Sequence, residues 1–355
     1  MEYDSKSVYE LKNICKINKF KGYSNKNKTD LIKFITNKGL NKTDKTDKTD
    51  KTDKKKFIQK PFLKWLGGKT NIIYKIIETF PKSLNNYHEI FLGGGSVLFA
   101  VLSLQKTNQI EIKNKIYAYD INSSLINLYK NIQNNKNELF NYITNYLSIY
   151  DKLTGTIINR KPQTEEENLS SKESYYYYLR NKFNTMDKNS IEYSALFLFL
   201  NKICFRGVYR EGPNGFNVPY GHYKTTPTII SKEGLDNISD LIKNVEFICC
   251  DFETSIKNIK SGDFTYLDPP YAPETKTSFV GYTKDGFTLD KHKKLFDLIN
   301  NCDEQNIKLA MSNAKVDLVL NSFDLKKYKM NDIIAKRAIN SKNPESVITE
   351  VIIYN

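Results

Sequence analysis

From residue 57 onward, short β-rich runs alternate with helical patterns, and that rhythm confines the chain to an open α/β sheet. Residues 87–91, 115–120, 245–251, 264–268 and 308–312 have the composition of strands, while 96–105, 123–134, 254–259 and 291–301 space their apolar residues as helices. The run 346–354 alternates and is expected to close the sheet as an antiparallel strand. Residues 139–227 break the rhythm. They hold a Tyr-rich helical stretch (175–183), an apolar helix (193–201) and a Gly/Pro/Arg loop, as expected of an insertion into the sheet domain.

The fourth expected strand opens into Asp268-Pro269-Pro270-Tyr271. Two prolines remove N–H donors and fix φ, so the turn holds its carbonyls at set angles beside one carboxylate and one ring. Such a turn can grip an exocyclic amino group with two acceptors while the ring covers a flat base. That is the grip needed to methylate a nucleobase amine. Upstream, Phe91-Leu92-Gly93-Gly94-Gly95-Ser96 sits where the first strand gives way to a helix, and it does not match the dinucleotide spacing G-x-G-x-x-G. Asp120 ends the second strand, where an acid can accept hydrogen bonds from ribose hydroxyls. A nucleoside-type cofactor without pyrophosphate, such as S-adenosylmethionine, fits this pair of features. Trp65, the single Trp, precedes Gly67-Gly68-Lys69, and a Lys after a Gly-Gly turn suits a ligand carboxylate.

The net charge of +14 and a pI near 9.2 point to a polyanionic partner. The five Cys form no C-x-x-C pair and only three His are present, which argues against zinc and disulfide frameworks and for a reducing compartment. No secretory signal or bilayer-length apolar run is found.

Ahead of the sheet domain, residues 41–56 repeat Lys-Thr-Asp, end in three lysines and carry no apolar side chain, so they are expected to be a disordered linker. Residues 1–40 are expected to form a small helical module. Val8, Leu11, Ile14 and Cys15 recur at helical spacing, and Thr29 or Asp30 is placed to cap a second helix carrying Leu31, Ile32, Phe34 and Ile35. With Lys12, Lys19, Gly22, Tyr23, Ser24 and Lys28, this stretch resembles a SAP-type DNA-binding module.

The order of signals from Trp65 through Gly93–Gly95, Asp120 and Asp251-Phe252 to Asp268–Tyr271 resembles the Dam-type, D12 class DNA adenine-N6 methyltransferases across residues 57–355. Further matches are Phe216-Asn217-Val218-Pro219-Tyr220-Gly221, Thr277-Ser278-Phe279, Tyr282-Thr283 and Lys336-Arg337-Ala338-Ile339-Asn340-Ser341. The resemblance implies a Rossmann-like, S-adenosylmethionine-dependent methyltransferase sheet with an inserted, mostly helical target-recognition domain. It implies catalysis by Asp268, Pro269, Pro270 and Tyr271, the last stacking on an adenine flipped out of double-stranded DNA. It places Trp65, Lys69, Phe91, Gly93, Gly95, Asp120, Asp251, Phe252 and Asp268 at the cofactor. Lys64, Phe205, Arg206, Arg210 and Asn217 become DNA-contact candidates, and Arg206 stands where the family pattern has Asn. No metal is implied. The expectation is a monomeric intracellular enzyme, cytoplasmic or DNA-associated, with a viral source among the options. Methylation of cytosine N4 or of RNA, and a binding-only protein that has lost catalysis, are the alternatives.

Overall fold

A computed structural model describes residues 7–17, 20–37, 58–273, 286–336 and 347–355, and the chain divides into two units, Met1–Lys55 and Lys56–Asn355. The Lys-Thr-Asp linker, the 277–279 and 282–283 matches and residues 337–341 lie outside the described residues.

In the first unit, α1 (Val8–Ile17) and α2 (Lys28–Asn37) pack through Leu11, Cys15, Leu31 and Ile35, which are fully buried. Phe20 meets Phe34 edge-on at 6.0 Å, and the Lys12 ammonium donates to the Ser24 carbonyl at 2.6 Å. The cap of α2 differs from expectation. The Asn27 side chain accepts from the Asp30 N–H at 2.9 Å, because a cap must precede the first helical turn rather than lie inside it.

The second unit carries a seven-stranded sheet: β1 (Tyr87–Glu89), β2 (Ile116–Asp120), β3 (Val245–Cys249), β4 (Phe264–Leu267), β5 (Lys308–Ala314), β6 (Lys329–Lys336) and β7 (Val347–Tyr354). Its order is β6-β7-β5-β4-β1-β2-β3, and β7 runs antiparallel to both of its neighbours. The longer helices are α3 (Ser96–Lys106), α4 (Ser123–Asn134), α5 (Lys136–Lys152), α6 (Lys172–Thr185), α7 (Ile191–Ile203), α8 (Lys232–Ile242) and α9 (Leu289–Glu304). Alternation along the strands feeds two cores. Tyr87, Ala118, Phe264 and Tyr266 pack with α3 and α4, whereas Tyr119, Leu267, Leu309 and Met311 pack with α9.

The chain leaves β1 toward β2 and leaves β4 toward β5, yet β1 and β4 are neighbours, with Tyr87 opposite Phe264 and Glu89 opposite Tyr266. This is the topological switch point, where crossovers depart in opposite directions and leave a crevice at the strands' carboxyl ends. Both glycine turn and proline turn open into it.

Within the insertion, α7 is buried nearly all round and belongs to the same apolar cluster as Phe99 and Tyr129. The insertion therefore shares its core with the sheet. Two of its buried tyrosines are paired at their hydroxyls: Tyr176 donates to the Val218 carbonyl at 2.7 Å, and Tyr193 pairs with Ser124 at 2.7 Å. Among the described residues, no helix is long and apolar enough to cross a membrane, and no group of three or more His, Cys, Asp or Glu is placed to hold a metal ion.

Candidate active site

The glycine turn is shaped by its neighbours as much as by its own freedom. Gly93 and Gly95 have φ of 48° and 70°, in the region that favours glycine. A Cβ at Gly93 would stand 3.0 Å from the Trp65 indole, one at Gly94 2.8 Å from the Trp65 Cβ, and one at Gly95 2.6 Å from the Tyr129 hydroxyl. Asp120 fixes the turn from β2. Its carboxylate accepts from the Gly93 N–H at 2.9 Å and the Asn122 N–H at 2.9 Å. Burial nevertheless pushes the Asp120 carboxyl above its ordinary range, with these N–H groups opposing the shift. Each carboxylate oxygen keeps a further acceptor site, so the anchoring of the turn leaves capacity for a ligand hydroxyl.

Phe91 stacks on Phe252 at 6.1 Å, and Phe287 meets both rings, at 6.1 and 5.6 Å. Asp251 spends one carboxylate oxygen capping the short helix Phe252–Ile256, accepting from the Thr254 N–H at 2.8 Å, and that bond lowers its carboxyl's pKa. The helix expected at 254–259 begins two residues earlier, at this cap.

Lys69, almost fully buried, is the hub of the crevice. Its ammonium lies 2.8 Å from Asp268 Oδ2, donates to the Gly67 carbonyl at 2.6 Å, and sits 4.9 Å over the Tyr271 ring. Its backbone N–H is held by the Ser96 hydroxyl at 3.0 Å. Asp268 Oδ1 is buried and has no hydrogen-bond partner among the described residues. Burial raises the Asp268 carboxyl to about 6, Lys69 opposes that rise, and Glu350 adds to it. A buried acceptor left open is costly unless a ligand completes it. The Tyr271 hydroxyl donates to Glu350 at 2.7 Å, and the Ala272 N–H donates to Asn313 Oδ1 at 2.9 Å.

The candidates for DNA contact fall into a neighbouring set. Asn201, at the end of α7, accepts from the Lys64 N–H at 3.0 Å and donates to the Lys64 carbonyl at 2.8 Å and the Gly207 carbonyl at 3.3 Å. Lys64 lies against Gly207, where a Cβ would be 2.3 Å from its own Cβ, and its ammonium reaches the Tyr223 hydroxyl at 3.1 Å. Phe205 is 48% exposed, and Arg206 lies over its ring with a φ of 56°. An exposed ring next to a strained arginine is typical of a loop shaped for binding. Arg210 donates to Asn217 Oδ1 at 2.7 Å across a small hairpin. Trp65 stacks on Tyr209 at 5.6 Å, joining this loop to the glycine turn.

The crevice thus gathers Trp65, Lys69, Gly93, Asp120, Asp268 and Tyr271 through direct contacts, and Phe91 and Phe252 through a stack. Asn313 and Glu350 join the site without any motif that marks them in the sequence, whereas the Ser96 hydroxyl closes the glycine motif. For Glu350 a signal exists, since it is an acid inside the apolar strand β7.

The profile of the D12 class N6 adenine-specific DNA methyltransferase family matches residues 65–339. The chain is 37% identical over 311 residues to the type II methyltransferase M.MjaIII of Methanocaldococcus jannaschii, a match covering 83% of this chain and 99% of that protein. It is 32% identical over 304 residues to the type II methyltransferase M1.LlaDCHI of Lactococcus lactis subsp. cremoris, covering 83% and 95%. It is 31% identical over 293 residues to a DNA adenine methylase of Haemophilus influenzae, covering 82% and 91%. The helical unit before residue 56 lies outside the family match.

Proposed function

This chain belongs to the D12 class of N6 adenine-specific DNA methyltransferases, and from that membership we propose that it uses S-adenosylmethionine to methylate N6 of an adenine flipped out of double-stranded DNA into the β1–β4 crevice. The carrying observation is the buried Asp268 Oδ1, without a hydrogen-bond partner among the described residues, beside a lysine-paired Oδ2 and the Tyr271 ring.

The donor set suits S-adenosylmethionine. Lys69 is a buried cation for a carboxylate, Asp120 has acceptor capacity for ribose hydroxyls, and the positive-φ glycines keep backbone approachable. Phe91, Asp251 and Phe252 would flank the adenine end of that cofactor, and Trp65 and Gly95 would wall its middle. When bound, S-adenosylmethionine supplies the electrophilic methyl group.

The chain's own residues prepare the nucleophile. An adenine amino nitrogen is weak because its lone pair is delocalised into the ring. Asp268 Oδ1 and a carbonyl of Pro269 or Pro270 would accept its two N–H bonds and favour a tetrahedral nitrogen. Ionised Asp268 would then face the positive charge that develops on the nitrogen as the methyl exchanges its bond to sulfur for one to nitrogen, and would be placed to take the proton that the nitrogen gives up, an electrostatic stabilisation prepared in advance. Tyr271 would hold the base by stacking, with its amine in reach of Asp268.

Lys64, Phe205, Arg206, Arg210 and Asn217 would meet the duplex, with Phe205 as a wedge and the arginines on guanine or phosphate. A monomer acting on DNA inside the cell is the working assembly. The test is single-molecule sequencing of DNA from cells expressing the full chain. N6-methyladenine in a fixed context is expected, whereas modified cytosine or unmodified DNA would refute the assignment.

The two-helix unit would act as a tethered, non-specific DNA grip, supported by its lysine-rich sequence. Deleting residues 1–56 should then leave kcat unchanged and weaken DNA binding by about tenfold or more. The salt slope of binding should fall by about 0.9 for each phosphate that the unit neutralises in the full chain. Filter binding across a salt series reads both, and an unchanged affinity would remove the module from the mechanism.

A further inference from the structure

β7 is apolar along its described centre, with Val351, Ile352 and Ile353 buried to within 1% of full burial, yet Glu350 lies beside them. A carboxylate there needs a reason, since taking it partly out of water is unfavourable without a partner. No ion pair is found for Glu350 among the described residues. Its Oε2 instead accepts the Tyr271 hydroxyl proton at 2.7 Å, a charge-assisted bond of the stronger kind. Burial, Asp268 and Glu350 all push the Tyr271 hydroxyl's pKa well above its ordinary value, so it keeps the proton it donates.

The placement follows from strand register. β7 pairs with β5 so that Glu350 is opposite Ala314 and Val351 is opposite Asn313. Asn313 accepts from the Ala272 N–H at 2.9 Å, directly after the proline turn. Two adjacent rungs of the sheet therefore hold consecutive residues, Tyr271 by its hydroxyl and Ala272 by its backbone. Lys69 lies 4.9 Å over the Tyr271 ring, so the ring is held both over its face and at its tip.

We propose that Glu350 is a positioning residue that fixes the Tyr271 ring plane through the hydroxyl, so that a flipped adenine stacks at the angle that presents its amine to Asp268. This rests on the reading of Tyr271 as the base-stacking ring. It assigns to β7 a role in catalysis that no motif of the sequence carries.

The test is a double-mutant cycle on the full chain, E350A and Y271F singly and together, with E350Q, Y271A and wild type. Steady-state methyl transfer gives kcat and KM. The probe is a duplex carrying the site found by sequencing, with 2-aminopurine at the target adenine, whose fluorescence is quenched by stacking. E350A is expected to lower kcat by about ten- to a hundredfold, the scale of a misplaced reacting group, and to brighten the flipped probe. S-adenosylmethionine affinity, measured by calorimetry, should hold within about twofold, which shows that the variant folds.

In the Y271F background, which has no hydroxyl to hold, E350A should change kcat by less than about twofold. E350Q keeps an acceptor and should restore kcat to within about threefold of wild type. Equal losses from E350A in both backgrounds would overturn the positioning role and leave the stack intact. Unchanged kcat and probe fluorescence in Y271A would instead overturn the reading of Tyr271 as the stacking ring.

Discussion

Exchanging Asp268 for Asn is expected to lower kcat by about 10²–10³-fold, the loss typical of removing one preorganised electrostatic contact. Asn keeps an acceptor but loses the negative charge opposite the developing cation, and it leaves the Lys69 ammonium without the carboxylate 2.8 Å away. The wild-type pH profile should carry the same group's signature. Burial has raised the Asp268 carboxyl to about 6, and in the proposed mechanism the ionised form is the active one. Hence kcat/KM should fall with unit slope as pH drops through about 6, and this limb should vanish in D268N.

The stability sign is opposite. A carboxyl raised in the folded state contributes stability that is full below its unfolded value near 4 and is lost as pH rises through about 6. The ionised, catalytically useful acid is thus the form that burial disfavours. A profile flat from pH 5 to 7.5, or D268N retaining more than about a tenth of wild-type kcat, would rule out this role for Asp268.

The second large effect is on folding. Gly95→Ala places a methyl group 2.6 Å from the Tyr129 hydroxyl and 3.3 Å from the Phe99 ring, at a φ of 70°. Left-handed backbone costs a non-glycine residue about 1–2 kcal/mol, and overpacking about 1–3 more. A loss of about 2–5 kcal/mol is expected, read as a lower urea midpoint, together with weaker S-adenosylmethionine binding. Adding Y129F removes the oxygen in the way and should recover the overpacking share alone. If G95A unfolds at the wild-type midpoint, the turn has slack that the packing does not reveal.

What is legible in the sequence follows from which forces act locally. α4 lies at 123–134 as expected because its apolar period is strong and Asn122 caps it through the Leu125 N–H. β7 pairs antiparallel as expected, but it lies between β5 and β6 with Val351, Ile352 and Ile353 buried in succession, so it neither alternates nor closes the sheet. α5, α8 and β6 are absent from the expected elements. The helical period is in fact present in α5, at Leu139, Ile143, Tyr146 and Tyr150, and in α8, at Leu235, Ile238 and Ile242, whereas β6 carries Lys, Asn and Asp along an edge. Asp251 shows the converse. Its position suits a ligand contact, but the carboxylate also caps a helix, a duty set by backbone geometry.

The pairing of Tyr271 with Glu350 joins residues 79 positions apart and exists only once strand register is set. No spacing rule in a single sequence carries such information. By contrast Asp268 and Tyr271 are neighbours along the chain, and their shared place can be read from four letters.

Trp65 gives the enzyme a party wall. One side of its indole closes on Gly93 and Gly94, and Tyr209, from the loop proposed to read DNA, lies stacked on it. The two compartments are therefore not separate rooms that can be refurbished in isolation. Re-shaping the Tyr209 loop to admit another base sequence shifts the partition against which the glycine turn is built. Selection for a new target and retention of the old cofactor fit must be satisfied by the same ring.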